Sequence, residues 1–322
     1  RDLVRSRGLG DVYKRQNLIR QYPDVRIVGN AKTFRVLEAY FGKLPNLVEV
    51  KDGDTLSLGY HNLKFVFTPW VHWPETMMSY DTTDGVLFSG DAFGMFGATD
   101  GGVFDDQVDF ARYESEMRRY YSNIVGKYSG MVQKALAKLS SARIGAICPL
   151  HGLVWRSDPA RVIGLYDRWS RYEADDAAVV IYASMYGNTA QMADHIARRI
   201  AEAGVRDIRV YDVSKTHVSY LISEIWRCRG VLLGSCAYNT QMFPLMENLT
   251  RDLLHAGPKD RLLGVFGTYS WNGGGVKNLN VFAEQIGWET VAPSAEILGR
   301  PTCEKYAACD ALADAMACRL KK

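Results

Sequence analysis

Three residues with metal-binding side chains each follow a strand-like run directly into a loop: His72 in TPWVHWPE, Asp91 in FSGDAFG and His151 in CPLHGL. They lie 19 and 60 residues apart. Imidazole and carboxylate donors suit zinc or non-haem iron and support chemistry at a site with open coordination positions. Singly, each has an ordinary explanation. His72 can pack on Trp70 or Trp73, Asp91 can serve a turn or helix cap, and His151 can hydrogen-bond in its Pro-Gly turn. The ordered set His, Asp, His at three strand ends is the stronger signal. His61, His195, His217 and His255 have no such setting and read as surface or helix-face residues.

A second chemistry is written between an apolar run, AAVVIYA, and a helical stripe through Met192, Ile196 and Ile200. The intervening loop is Ser184-Met185-Tyr186-Gly187-Asn188-Thr189. Small polar residues and a glycine in a strand-to-helix turn let backbone N–H groups face an anion, and the helix N-terminus adds partial positive charge. No G-x-x-x-x-G-K-[ST] lysine and no G-x-G-x-x-G is present, which disfavours a nucleoside triphosphate and a dinucleotide. The loop suits the terminal phosphate of a mononucleotide such as FMN. Two further strand ends supply Ser235-Cys236-Ala237-Tyr238-Asn239 and Thr268-Tyr269-Ser270-Trp271-Asn272-Gly273-Gly274-Gly275. Ligands of open parallel sheets bind beyond such strand ends. Tyr238, Tyr269 and Trp271 are placed to flank a flat isoalloxazine, and Gly273–Gly275 to let backbone approach its edge. The plain alternative for the first loop alone is a helix cap at Asn188 or Thr189.

The elements that must position these residues fall into two groups. From about residue 17 to 174, strands are predicted at Val25–Gly29, Leu63–Phe67, Gly85–Ser89 and Ile144–Cys148. Helices are predicted near Ala31–Phe41 and over a long region from about Phe110 to Ser140. After an acidic joint at Glu173–Asp176 the pattern becomes a regular strand–helix alternation, the signature of a doubly wound parallel sheet. The predicted fold class is α/β, with domains at 17–174 and 175–322. At 322 residues, two domains are also the length prior.

Composition narrows the function. Apolar residues are 47% and charged residues 23% of the chain, enough to bury two cores. The net charge of +3 resides in residues 1–16, which hold five basic and two acidic residues; the remainder carries 34 of each. That neutral body gives no electrostatic reason to invoke nucleic acid or a membrane, and no apolar stretch approaches a spanning helix. Six cysteines without C-x-x-C spacing read as thiols of a reducing compartment, so a cytoplasmic location is expected. The chain opens on Arg1, and its first sixteen residues show neither helical nor strand periodicity. They read as a foreign or flexible tail, with genuine upstream sequence absent.

Ser184–Thr189 resembles the flavodoxin phosphate loop, with a looser match at Cys236-Ala237, where relatives often carry Pro-Thr. His72, Asp91 and His151 resemble the later half of a metallo-β-lactamase-like site, whose first half is an H-x-[HE]-x-D-H motif. That motif does not occur in this sequence. A metallo-β-lactamase-like αββα domain, here partial, followed by a flavodoxin-like domain is similar to the flavodiiron proteins. The resemblance implies reduction of O2 to water, or of NO to N2O, at two non-haem irons fed by FMN. It implies His72, Asp91 and His151 as iron ligands, with Asp91 bridging, and the three loops as the FMN site. It also implies a head-to-tail homodimer and rubredoxin as electron donor. With about half the ligands present, the 322-residue chain is expected to bind FMN but to assemble little diiron centre. An FMN electron carrier with a non-catalytic first domain, and a zinc hydrolase with an appended flavin domain, are the alternatives.

Overall fold

A computed structural model describes residues 20–321. The reading of residues 1–16 as a foreign tail lies outside these. Strands β1 (Ile27–Gly29) and β2 (Leu47–Glu49) pair in parallel, with helix α1 (Ala31–Phe41) as their crossover. Asn30 starts α1: its Oδ1 accepts the Thr33 N–H, while its Nδ2 donates to the Glu75 carbonyl. Gly42, at φ 72°, ends it.

The second sheet of this half runs β3 (Thr55–Ser57), β4 (Asn62–Phe67), β5 (Met77–Asp81), β6 (Val86–Gly90) and β7 (Ala146–Pro149) in that spatial order. Neighbours are antiparallel until β7, which joins β6 in parallel. The β6–β7 crossover contains the long helical region expected from sequence, but the region is not one helix. It divides into α2 (Phe110–Tyr120), a π-helical turn at Tyr121–Val125, a 3-10 turn at Gly126–Tyr128, and α3 (Ser129–Leu139). The break falls where Gly126 meets Trp226; a Cβ on Gly126 would lie 2.5 Å from the indole. Helix α4 (Pro159–Ser170) completes the layer, and Met117, Tyr121, Val132, Val162 and Tyr166 pack with Leu87 and Ile147 of the sheet.

In the other half, β8 (Asp175–Ala183), β9 (Ile208–Asp212), β10 (Cys228–Tyr238) and β12 (Leu262–Tyr269) form a parallel sheet. Strand β11 (Gln241–Met242) turns back antiparallel on β10, while β13 (Glu289–Thr290) and β14 (Ala295–Leu298) both extend β12. The order β9-β8-β10-β12-β14 is the flavodoxin-like one. Helices α5 (Asn188–Glu202) and α9 (Ala307–Leu320) cover one face; α6 (Val218–Arg227), α7 (Pro244–Ala256) and α8 (Gly275–Ile286) cover the other. Along β8, Ala177, Val179 and Ile181 pack to one side and Ala178 and Val180 to the other. Burial on both faces is why this strand is an unbroken apolar run.

One side chain of the second half enters the core of the first. Trp226, on α6, is fully buried in the hydrophobic cluster of the first half, and its Nε1–H donates to the Trp169 carbonyl at 3.1 Å. Arg261, also buried, donates to the carbonyls of Ile225, Trp226, Tyr172 and Lys259. No helix among the described residues is long and apolar enough to cross a membrane.

Candidate metal centre and cofactor cleft

His72, Asp91 and His151 come together at the ends of β4, β6 and β7. Asp91 lies between the two imidazoles. Its Oδ2 is 2.9 Å from His72 Nε2, and its Oδ1 is 3.5 Å from His151 Nε2. Burial works against a charged carboxylate here, but the His151 and His72 rings outweigh it and hold Asp91 well below the usual carboxylate range.

His151 is fixed by residues that the sequence did not single out. Its Nδ1 lies 3.0 Å from the Met95 carbonyl. A carbonyl can only accept, so Nδ1 carries a proton, and this bond turns Nε2 toward Asp91. That Nε2 is buried with no hydrogen-bond partner. Gly94 is required for the approach, since a Cβ there would lie 2.5 Å from His151 Cε1 and 2.8 Å from Nδ1. The Asp91–Met95 loop is pinned in turn. Phe93, at φ 64°, donates its N–H to Tyr166 Oη and accepts from Trp155 Nε1. Glycines in FSGDAFGMFG were the available signal for this loop; the pinning partners lie 62 and 73 residues away.

The donor set fits iron or zinc. An orphaned imidazole nitrogen beside a carboxylate that faces two rings with separate oxygens suits a bridging role better than a single-ion site. Among the described residues, the three donors close enough to share one ion are instead His61, Asp81 and Asp84. There His61 Nδ1 lies 2.7 Å from Oδ2 of the buried Asp81, so these two groups already serve as each other's hydrogen-bond partners.

The FMN candidates meet at the carboxyl ends of β8, β10 and β12. Ser184, Met185, Tyr186, Asn188, Cys236, Ala237, Asn239, Thr268, Tyr269, Ser270, Trp271 and Asn272 line one open cleft, together with Thr240, which sequence reasoning missed. Gly187, at φ 84°, precedes α5, whose N-terminus has no side-chain cap; the plain helix-cap reading of Asn188 or Thr189 therefore does not hold. Ser184 Oγ is buried and has no hydrogen-bond partner. Free helix N–H groups and an orphan hydroxyl fit a phosphate.

Other candidates stand behind the cleft instead of in its wall. Thr189 Oγ1 is 2.7 Å from Thr268 Oγ1, and Ser235 Oγ accepts the Phe243 N–H. Tyr238 packs edge-on to Phe243 and lies outside the lining. The glycines serve loop-to-loop packing: a Cβ on Gly274 would lie 2.2 Å from the Thr240 carbonyl, and one on Gly275 2.8 Å from that of Ser235. Gly273 faces Glu296. The Thr240 carbonyl belongs to the two-residue turn Asn239-Thr240 joining β10 to β11, both residues having positive φ.

Fold and site together define a metallo-β-lactamase-like domain with a histidine–carboxylate centre, joined to a flavodoxin-like domain with an anion cleft. Residues 10–152 match the ODP family beta lactamase, and residues 180–310 match Flavodoxin. The chain belongs to the flavodiiron protein family. It is 32% identical over 277 residues to the anaerobic nitric oxide reductase flavorubredoxin of Escherichia coli, covering 84% of this chain and 58% of that protein. Its fold matches rubredoxin oxygen:oxidoreductase of Desulfovibrio gigas with a TM-score of 0.89 and 28% identity, over 95% of this chain and 77% of that one. A variant flavo di-iron protein of Thermotoga maritima matches with a TM-score of 0.81 and 26% identity, over 92% and 74% of the two chains. The chain thus spans a little over half the length of the curated relative.

Proposed function

We propose that the protein is an oxidoreductase in which FMN feeds a non-haem diiron centre that reduces O2 to water, NO to N2O, or both. The observation that carries this reading is Asp91, with one carboxylate oxygen toward each of two imidazoles, beside a buried His151 nitrogen that has no partner. His72, Asp91 and His151 would hold iron, with Asp91 between the two ions. Ser184–Thr189, Ser235–Asn239 and Thr268–Gly275 would form and support the FMN site. When bound, the irons and the flavin supply the electrons; the protein orients the donors, fixes the His151 tautomer through Met95 and binds the flavin phosphate. Relatives named for NO and for oxygen keep both substrates in the proposal.

Four finer statements belong to the same reading. The domains divide near residue 175, where β8 begins. Two chains pair head to tail, which sets the FMN cleft of one near the metal centre of the other. Both sites have exposed apolar rims suited to this: Trp70, Trp73 and Leu150 at the metal centre, Tyr186 and Trp271 at the cleft. A rubredoxin-type protein delivers the electrons, in the cytoplasm.

Iron and flavin quantitation after reconstitution with Fe2+ and FMN tests the proposal. The 322-residue chain is expected to hold stoichiometric FMN and to hold iron loosely, because three donors are few for a pair of ions. His72→Ala and His151→Ala should lower iron further and leave flavin unchanged. Iron content unaffected by both substitutions would sink the assignment.

A further inference from the structure

We infer that Arg119 and Tyr220 form a positioning device that connects the flavodoxin-like domain to the ring of His151. The inference rests on the metal role proposed for His151. The guanidinium of Arg119, near the end of α2, lies between two aromatic rings, 4.6 Å from the Phe96 centroid and 4.3 Å from that of Tyr220. Tyr220 belongs to α6 of the other domain, so the sandwich spans the domain boundary. Hydrogen bonds fix the guanidinium within it. Nε donates to Glu116 Oε2 at 3.0 Å, and Nη1 donates to Ser219 Oγ at 3.0 Å. Asn123 Nδ2 donates to the carbonyls of both Arg119 and Ser219, joining the two backbones. The Arg119 side chain is only 15% exposed, so the stack and the charge-assisted bonds are largely shielded from water.

Phe96 connects this device to the metal centre by two routes. Along the chain it follows Met95, whose carbonyl orients His151 Nδ1. Through space its ring meets Tyr120 edge-on at 5.2 Å, and Tyr120 meets His151 edge-on at 4.6 Å. Met95 and Tyr120 therefore touch the imidazole, while Arg119 and Tyr220 hold the residues that touch it. A shift of α6 relative to α2 moves Phe96 and, with it, the His151 ring. None of these four residues is offered as a ligand; they act through His151.

The test uses Tyr220, which is 46% exposed and can be altered with little risk to folding. Tyr220→Ala removes the ring, and Tyr220→Phe retains it. Both are made in a His61→Ala background, so that the trio His61, Asp81 and Asp84 takes no metal. In metal-free protein with ring-labelled histidine, Tyr220→Ala should shift or broaden the His151 NMR signal and leave those of His195 and His255 in place. Tyr220→Phe should match the parent. Affinity for added Co2+ should fall about fivefold in Tyr220→Ala, a smaller effect than the roughly 10–100-fold typical of groups that bond a ligand directly. FMN affinity should not change. An unmoved His151 signal overturns the inference, as does a moved signal with undiminished Co2+ affinity in a protein whose His151→Ala variant does lose Co2+. If His151→Ala itself binds Co2+ normally, the metal reading fails and the ring signals alone decide the positioning.

Discussion

Gly94 has a steric duty that its loop position hides. In FSGDAFG it looks like a turn residue, yet its φ is not positive and the backbone there suits any side chain. What excludes a side chain is His151, whose ring occupies the space a Cβ would take. The Asp91 carbonyl oxygen crowds the same position at 2.9 Å, so Gly94→Ala should displace the imidazole and strain the Asp91–Met95 loop together. Displacement separates Nδ1 from the Met95 carbonyl and turns Nε2 away from Asp91. We expect Co2+ affinity in the His61→Ala background to fall by about tenfold or more. Relieving the contact with the Asp91 carbonyl should cost about 1–3 kcal/mol and lower the melting temperature by a few degrees. Parallel metal titration and thermal melts would check this, and a large loss of stability with metal binding retained would contradict it.

At the scale of elements, Arg261 at the start of β12 shows how loops on opposite sides of the boundary are held. Four backbone carbonyls, from Tyr172, Ile225, Trp226 and Lys259, converge on one buried guanidinium. Burial pushes its pKa down to about 10, so it remains charged at neutral pH. Arg261→Met should cost about 3 kcal/mol or more by urea unfolding, because several buried acceptors lose their donor. Arg261→Lys should rescue only part of this, since an ammonium cannot reproduce the planar fork. Nothing in the residues around Arg261 foretold these partners. By contrast, α1 was expected near Ala31–Phe41, where Asn30 and Gly42 cap it with local contacts, and β8 was legible because burial on both faces writes an apolar run. Strand β5 (MMSYD) went unread: its pairing of Met78 with Val66 is a tertiary fact, and its own residues show no clean alternation. The site divides the same way. The donor types and their strand ends could be read from the sequence; Met95, Thr240 and the true duties of Gly274 and Gly275 depend on where other loops arrive.

At the scale of the whole molecule, the two sheets lie on either side of the boundary proposed near residue 175, and Trp226 ties the two halves together. Trp226 comes from the flavodoxin-like half, yet its indole packs against Tyr121 and Tyr172 at centroid distances of 5.8 and 5.5 Å and closes over Gly126. The Arg118–Glu224 pair and the Arg119 sandwich lie on the same contact between α2 and α6. This interface is buried and apolar at its centre, unlike the polar contacts that usually let joined domains move. The two halves should therefore unfold together, giving one calorimetric transition. Trp226→Ala removes the largest side chain shared across the boundary and leaves a cavity against Gly126, at a cost of about 3–5 kcal/mol. Because the loss falls on the contact and not within either sheet, the single transition should split, with the first half melting earlier. Retention of one sharp transition, merely moved to lower temperature, would mean that the remaining contacts, Arg261 foremost, are sufficient to couple the halves.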